Sequence, residues 1–511
     1  MRSAARGGPT KNTGPRIAVI GGGLGGIAVA IELVQAGIMS FTVFEQAPSW
    51  GGCWWRNDYP GAEVDTVSAI YSFGSMPNNW SRTHAARDEM LAYVERVVAE
   101  FNLDDHFRPN TNVLSAEWNE KSNTYLVRTE DGEALTFDVV IAAVGQLNVP
   151  RYPDWPGLAD FSGPTFHTAR WEHEHDLTGK RVAVVGSGAS AAQVVPALAA
   201  MGIEVVQFQR EPVWVRPKLG RDFTVPERQT WTPKRQRKLR RKLIFKGEWP
   251  QIGGRWVRQG SKVNERLRTA CVAYLNTELA SRPDLQAVMT PDYPYFGKRP
   301  VVSDDYYASL LRDNVRLVPK GIVAVTERGP VDQDGEEHPV DVLVLATGFR
   351  ATEYISTLHV VGRNGAVLKE KWNGEPTALL GIAVPQFPNF FMLYGPNTTG
   401  GAVMTNLHSQ SAYIIRTIRR MMRFGVTAIE VRPYFTEGYN RWLQKRLEQT
   451  TYTTANNYYK SESGRVVTNF PDSALTYGLM TRVFALPVFS THRRRRSKAP
   501  NTQSAAADQP A

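Results

Sequence analysis

An apolar strand that runs directly into a glycine turn and then a helix commits a chain to a parallel βαβ crossover, and this chain does so twice. Arg16 to Ile20 (RIAVI) leads into Gly21 to Gly26 (GGGLGG), and Arg181 to Val185 (RVAVV) leads into Gly186 to Ala191 (GSGASA). In such a turn the first glycine bends the backbone, the second lets a pyrophosphate approach it, and a small third residue lets the helix pack on the strand. Helix N–H groups are left facing the phosphates. The candidate contacts are Gly21, Gly23 and Gly26 in the first copy, and Gly186, Ser187, Gly188, Ala189 and Ser190 in the second. The copies differ 24 residues after the first glycine, where one places Glu45 and the other Arg210. A carboxylate there accepts hydrogen bonds from ribose hydroxyls, whereas a guanidinium forks onto a 2′-phosphate. Two nucleotides are implied, FAD at the first turn and NADPH at the second.

At 511 residues the chain has room for about three domain-sized units. The expected class is α/β, with two Rossmann-like dinucleotide-binding domains, the second inserted into the first. After a lead-in at 1–15, the FAD domain runs over 16–150 and resumes at 340–489. A linker at 151–176 is rich in proline at its start. The NADPH domain occupies 177–339 and carries a basic, helix-like insertion at about 223–276. Residues 490–511, rich in Arg, Ser, Ala, Pro and Gln, have little to bury and are expected to be disordered.

No apolar run reaches the eighteen or so residues of a membrane span, and residues 1–15 lack the apolar core of a secretory signal, so a soluble protein is expected. The two cysteines, Cys53 and Cys271, lie far apart, which suits a reducing cytoplasm. They also leave no thiol pair to receive electrons from a flavin. The net charge of +11 is more than covered by thirteen charges in two stretches: Lys234 to Lys246, and Arg493 to Arg496 with Lys498. These read as a solvated helix face and a tail rather than a nucleic-acid-binding arm. Loose attraction to a membrane or polyanion stays open. His173 and His175 have no third ligand at metal spacing, so no metal is expected.

Downstream of Glu45, glycines interleave with aromatics (Gly51 to Asp65), suiting a backbone wrapped against a flat ring system. Here the chain resembles the Baeyer-Villiger monooxygenases, a branch of the class B flavin monooxygenases. Their motif is met at Gly52, Trp54, Tyr59, Pro60, Gly61 and Asp65, and a second fingerprint at Phe161, Gly163, His167 and Trp171. Glu172 stands where that fingerprint usually has Pro or Asp, a departure bearing on ketone against heteroatom chemistry. The resemblance spans roughly residues 16 to 483 and includes Ala346 to Phe349, Gly395 to Thr398 and Tyr458 to Pro471. It implies Arg299 as the catalytic group, Asp65 as its orienting partner, His167 as a hinge coupling domain movement to catalysis, and Lys298 as a second ligand for the 2′-phosphate. Tyr71 and Val113 match positions that touch the flavin or its adenosine, and Gly52, Trp54 and Asp65 of the first motif are expected cofactor contacts as well. A fixed guanidinium suits the task, since attack on a carbonyl needs both an anionic oxidant and the resulting oxyanion stabilised.

The resemblance therefore implies an FAD-containing, NADPH-dependent monooxygenase that uses dioxygen to turn a ketone into an ester or lactone. An N- or S-oxygenating enzyme, an NADPH-dependent flavin reductase and a nucleotide-sensing regulator remain alternatives on the residues alone.

Overall fold

A computed structural model describes residues 14–484 and 488–492. Most of the expected lead-in and the Arg493 to Arg496 run lie outside the described residues. Two five-stranded parallel sheets organise the chain. The first has the order Phe390–Met392, Val139–Ala142, Ile17–Ile20, Phe41–Phe44, Phe107–Arg108. The second has the order Val315–Val318, Glu204–Phe208, Arg181–Val185, Val342–Leu345, Thr165–His167. Every strand of the second falls in sequence between Ala142 and Phe390, so the second unit is inserted into the first. Ile17–Ile20, Val139–Ala142 and Val342–Leu345 are buried at every position, as expected of parallel strands covered on both faces.

The turn glycines explain themselves sterically. Gly21 has φ +111°, and a Cβ there would lie 2.5 Å from the Ala143 carbonyl oxygen; Gly186 has φ +133°, and its Cβ would lie 2.5 Å from that of Ala346. At Gly26 a Cβ would fall 1.9 Å from the Gly21 oxygen, so helix Leu24–Gln35 could not pack there with any side chain.

Four boundaries differ from expectation. The strand Val342–Leu345 does not return to the first domain; it pairs with Arg181–Val185 and belongs to the second sheet. Thr165–His167, expected in a linker, is that sheet's edge strand. An apolar strand buried on both faces carries no alternation to reveal its neighbour, so register is settled by packing. The second unit thus reaches from the fingerprint to Gly348, beyond the expected 177–339. The helical insertion runs on past 276, through Lys262–Glu278 to Pro283–Met289. Finally, Phe489–His492 pairs antiparallel with Ala428–Val431 rather than opening a disordered tail at 490.

Candidate active site

The first glycine turn lines a cavity of about 430 Å³, which the second unit reaches through Ala189 and Ser190 at the end of its own turn. Gly21, Gly23, Glu45, Gly52, Trp54, Tyr71 and Val113 line it from the first unit, Ala189 and Ser190 from the second, and Asp65 and Arg299 face it together. Gly52, at φ +56°, sits so close to the first turn that a Cβ on it would come within 2.7 Å of the Gly23 Cα. Two glycine backbones therefore form a wall without side chains, the cradle a pyrophosphate and flat ring require. Glu45, only 6 % exposed, is held by the N–H groups of Gly22 (2.7 Å) and Ala47 (2.8 Å) at the edge of that cradle. Trp54 donates its indole N–H to the Tyr71 hydroxyl at 3.3 Å, fixing two aromatic walls edge to face. These residues fit FAD.

The stretch between Gly52 and Asp65 does three separate jobs. Tyr59 donates to the Gln193 side chain at 2.8 Å, and a Cβ on Gly61, whose φ is +83°, would lie only 2.5 Å from the Gln193 carbonyl oxygen. Gln193 lies on helix Ala191–Ala200 of the second unit, so the Tyr-Pro-Gly segment is where the two units dock. Asp65 then reaches Arg299, from which it is separated by 234 residues, and accepts from its guanidinium at 2.6 Å. Burial alone would raise the Asp65 carboxyl, but Arg299 outweighs it and holds the group below the usual carboxylate range; Asp65 in turn raises the Arg299 guanidinium well above its ordinary value. The 45 % of the Arg299 side chain that water can touch is cavity wall. Tyr394 and Tyr458 also line the cavity beside it. Burial pushes the Tyr394 hydroxyl up to about 12, so at neutral pH this corner presents one fixed cation with neutral phenols.

Neither Tyr394 nor Gln146, whose side chain accepts from Thr399 at 2.7 Å, was singled out from the sequence. Tyr394 directly precedes Gly395, so the Gly395 to Thr398 motif pointed to its neighbourhood and not to the residue.

His167 is fully buried and does not line the cavity. Its Nδ1 accepts the Ala169 N–H at 3.0 Å, so Nε2 carries the proton and donates to the Gly348 carbonyl at 3.0 Å. Burial lowers its pKa to about 4, leaving it neutral. It joins the second sheet's edge strand to the loop after Val342–Leu345, behind the cavity wall rather than on it. The rest of that fingerprint is structural too: a Cβ on Gly163 would lie 2.1 Å from the Asp341 oxygen, and Trp171 meets Phe166 edge to face. Glu172 pairs with His175 at 2.9 Å and does not line the cavity.

Gly186, Ser187, Gly188, Arg210 and Lys298 also lie off that wall. Of these, Ser187, Arg210 and Lys298 gather around Glu211. Lys298 is paired with Glu211, the residue after Arg210, and Ser187 donates to the Glu211 carbonyl at 2.9 Å. Burial, with the Arg210 charge as a second cause, lowers the Lys298 ammonium to about 8. Two cations close enough to repel each other suit a 2′-phosphate, and Glu211 partly neutralises one of them. Cys53 opens onto the cavity, and burial pushes its thiol up to about 11, well away from the thiolate. It forms no disulfide with Cys271.

Comparison with known proteins places this geometry. Residues 18–225 match the family described as pyridine nucleotide-disulphide oxidoreductase, although this chain has no thiol pair at the flavin cradle. A Baeyer-Villiger monooxygenase of Streptomyces coelicolor is 36 % identical over 475 residues, covering 91 % of each protein. Among solved structures, the complex of OTEMO with FAD and NADP superposes with a TM-score of 0.84 at 26 % identity, covering 94 % of this chain and 99 % of that one. The caprolactone-bound cyclohexanone monooxygenase does so with a TM-score of 0.82 at 28 % identity, covering 94 % and 99 %. On the identity and near-complete coverage of its relatives, the chain belongs to the Baeyer-Villiger monooxygenase family.

Proposed function

We propose that this protein uses NADPH, dioxygen and bound FAD to insert one oxygen atom beside a ketone carbonyl, giving an ester or lactone and water. The observation that carries this reading is the Asp65 and Arg299 pair on the wall of the cavity that the first glycine turn lines and that Ala189 and Ser190 of the second unit reach. Bound FAD, reduced by hydride from NADPH, supplies the activation of dioxygen.

The chain's own residues bind, orient and stabilise charge. Gly21, Gly23 and Gly52 admit the pyrophosphate, and Glu45 holds the ribose hydroxyls. Arg210 and Lys298 hold the 2′-phosphate. Arg299 stabilises the anionic oxidant and then the oxyanion formed when the carbonyl is attacked, while Asp65 fixes the guanidinium so that no reorganisation is needed at that moment. Tyr394 and Tyr458 flank it as neutral hydrogen-bonding groups, and Trp54 and Tyr71 exclude water. The two unpaired thiols support a cytoplasmic setting, and no helix among the described residues is long and apolar enough to cross a membrane.

Incubation with NADPH, isotopically labelled dioxygen and a panel of ketones and sulfides tests the reading by product mass. One labelled oxygen in an ester is expected. Label only in sulfoxides would assign heteroatom chemistry, and NADPH consumption without labelled product would assign a reductase.

A further inference from the structure

The helix Pro233–Glu248 carries a surface that the chemistry above does not use. Its inner side buries Gln236, Ile244 and Glu248, and burial of Arg240 lowers that guanidinium's pKa. Its outer side exposes Lys234, Arg235, Arg237, Lys238, Arg241, Lys242 and Lys246. Among the described residues no carboxylate lies within 4.0 Å of any of these seven, and the helix's sole acidic residue is the buried Glu248. A charged face alone would be an ordinary solvated helix. At the C-terminal end of this one, however, stand Phe245, 54 % exposed in the last turn, and Trp249, 58 % exposed just past it. Their rings stack at 4.9 Å. The spacing of three and four residues from Lys238 through Arg241 and Lys242 to Phe245 and Trp249 puts cations and rings on one side. Ile252 continues the apolar exposure.

The platform is also firmly held. Glu248 accepts the Ala402 N–H at 2.9 Å and the Ala474 N–H at 2.7 Å. Gly401 and Val403, on either side of Ala402, line the cavity. The end of the basic helix and the cavity wall are therefore parts of one rigid corner.

We propose that this face docks the protein on an anionic lipid surface, with the Lys and Arg side chains at the headgroup phosphates and Phe245, Trp249 and Ile252 at the boundary between headgroups and acyl chains. Each basic group near such a surface adds attraction, and Trp is favoured at that depth because its ring is apolar and its N–H polar. A lipid fits better than a single-stranded nucleic acid. The outer side of a helix is convex and offers no groove to follow a phosphate backbone, the two rings are stacked on each other, and Ile252 has nothing to offer a base. Docking brings the corner bearing Gly401 to Val403 toward the bilayer, a source of apolar ketones; that last consequence rests on the proposed function, whereas docking itself does not.

Co-sedimentation of the full-length protein with vesicles tests the docking without any turnover. Vesicles of phosphatidylcholine alone are compared with vesicles in which about one lipid in three is phosphatidylglycerol. Binding to the anionic vesicles, weakened by salt through screening, is the expected result. Reversal of two cations in K238E/K242E should lower the partition constant at least about tenfold. F245S/W249S should lower it about as much while leaving its salt dependence intact, because that pair acts by burial. Both variants should keep the parent's rate of NADPH oxidation in solution. Equal partition of the parent onto neutral and anionic vesicles would overturn the proposal. So would unchanged partition of both variants, and so would tighter binding of the parent to a single-stranded oligonucleotide than to the anionic vesicles, with both variants losing the oligonucleotide and keeping the parent's lipid partition.

Discussion

Single residues set the chemistry here by placing charge where it cannot drift. In the proposed mechanism Arg299 acts only after dioxygen is activated, so Arg299→Ala should separate the half-reactions. Ester formation should fall at least about a hundredfold, whereas anaerobic loss of the flavin's yellow colour on adding NADPH should persist, and the oxygen consumed should appear as hydrogen peroxide. Wild-type ester yield from a ketone accepted by the parent would show that Arg299 is not the stabilising cation. A second residue prediction concerns the coenzyme. Arg210→Ala should weaken NADPH by about one to two decades, as expected for a lost charge-assisted contact. Glu211→Gln should act in the opposite sense, because the carboxylate that pairs Lys298 would otherwise oppose an incoming phosphate. Its ratio of kcat/KM for NADPH over NADH should rise roughly tenfold; a fall would show that Glu211 positions Lys298 rather than competing for it. Arg210 was legible from its register with Glu45, since both follow a turn glycine by a fixed count. The Glu211 to Lys298 pairing was not, because the two residues stand 87 positions apart.

Elements in this protein are joined by backbone contacts that only glycine permits. Gly61 combines φ +83° with a Cβ clearance of 2.5 Å to the Gln193 oxygen, whereas Gly132 has φ +90° and nothing within 4 Å of its Cβ position. Gly132→Ala therefore measures conformational strain alone, on the order of 1–2 kcal/mol. Gly61→Ala adds a clash at the docking face of the two units. It should lower the thermal midpoint further than Gly132→Ala and reduce the rate of flavin reduction, while Gly132→Ala leaves reduction unchanged. Equal effects of the two substitutions would remove Gly61 from the docking contact. The sequence showed Gly61 as a member of a motif, without showing that the motif's middle part serves the second unit. Similarly, Ala143-Val-Gly145 and Ala346-Thr-Gly348 end equivalent strands, each supplying the carbonyl against which a turn glycine packs. That shared ending was the available signal that Val342–Leu345 belongs to the second sheet.

For the whole molecule, two buried neutral histidines set a pH dependence of stability. Burial lowers His167 and, with Lys218 as a further cause, His84 to about 4, below the ordinary value of 6.5. The unfolded chain binds protons at these sites that the folded chain refuses, so stability falls as pH drops from about 6.5 toward 4 and then levels. By about pH 5 each histidine should cost on the order of 2 kcal/mol relative to neutral pH. His167→Gln should flatten the slope of the denaturation midpoint between about pH 7 and pH 5, and an unchanged slope would show that His167 accepts a proton in the fold. Asp65 has the opposite sign: its folded pKa is depressed, so the stability it contributes is present above the ordinary carboxylate range and is lost as pH falls below that range through the depressed pKa. The sequence by itself determined the two nucleotide units, their glycine turns and the Glu45 and Arg210 contrast, because each is written within one short βαβ segment where local sterics and a fixed count suffice. The resemblance to relatives, rather than any spacing, pointed to Asp65 with Arg299. Only the tertiary structure decided which sheet each buried strand joins, that Ala189 and Ser190 of the second unit reach the cavity lined by the first turn, and that His167 stands behind its wall. Those outcomes depend on contacts between residues more than a hundred positions apart, and such contacts are chosen by the burial of whole faces, which no local pattern records.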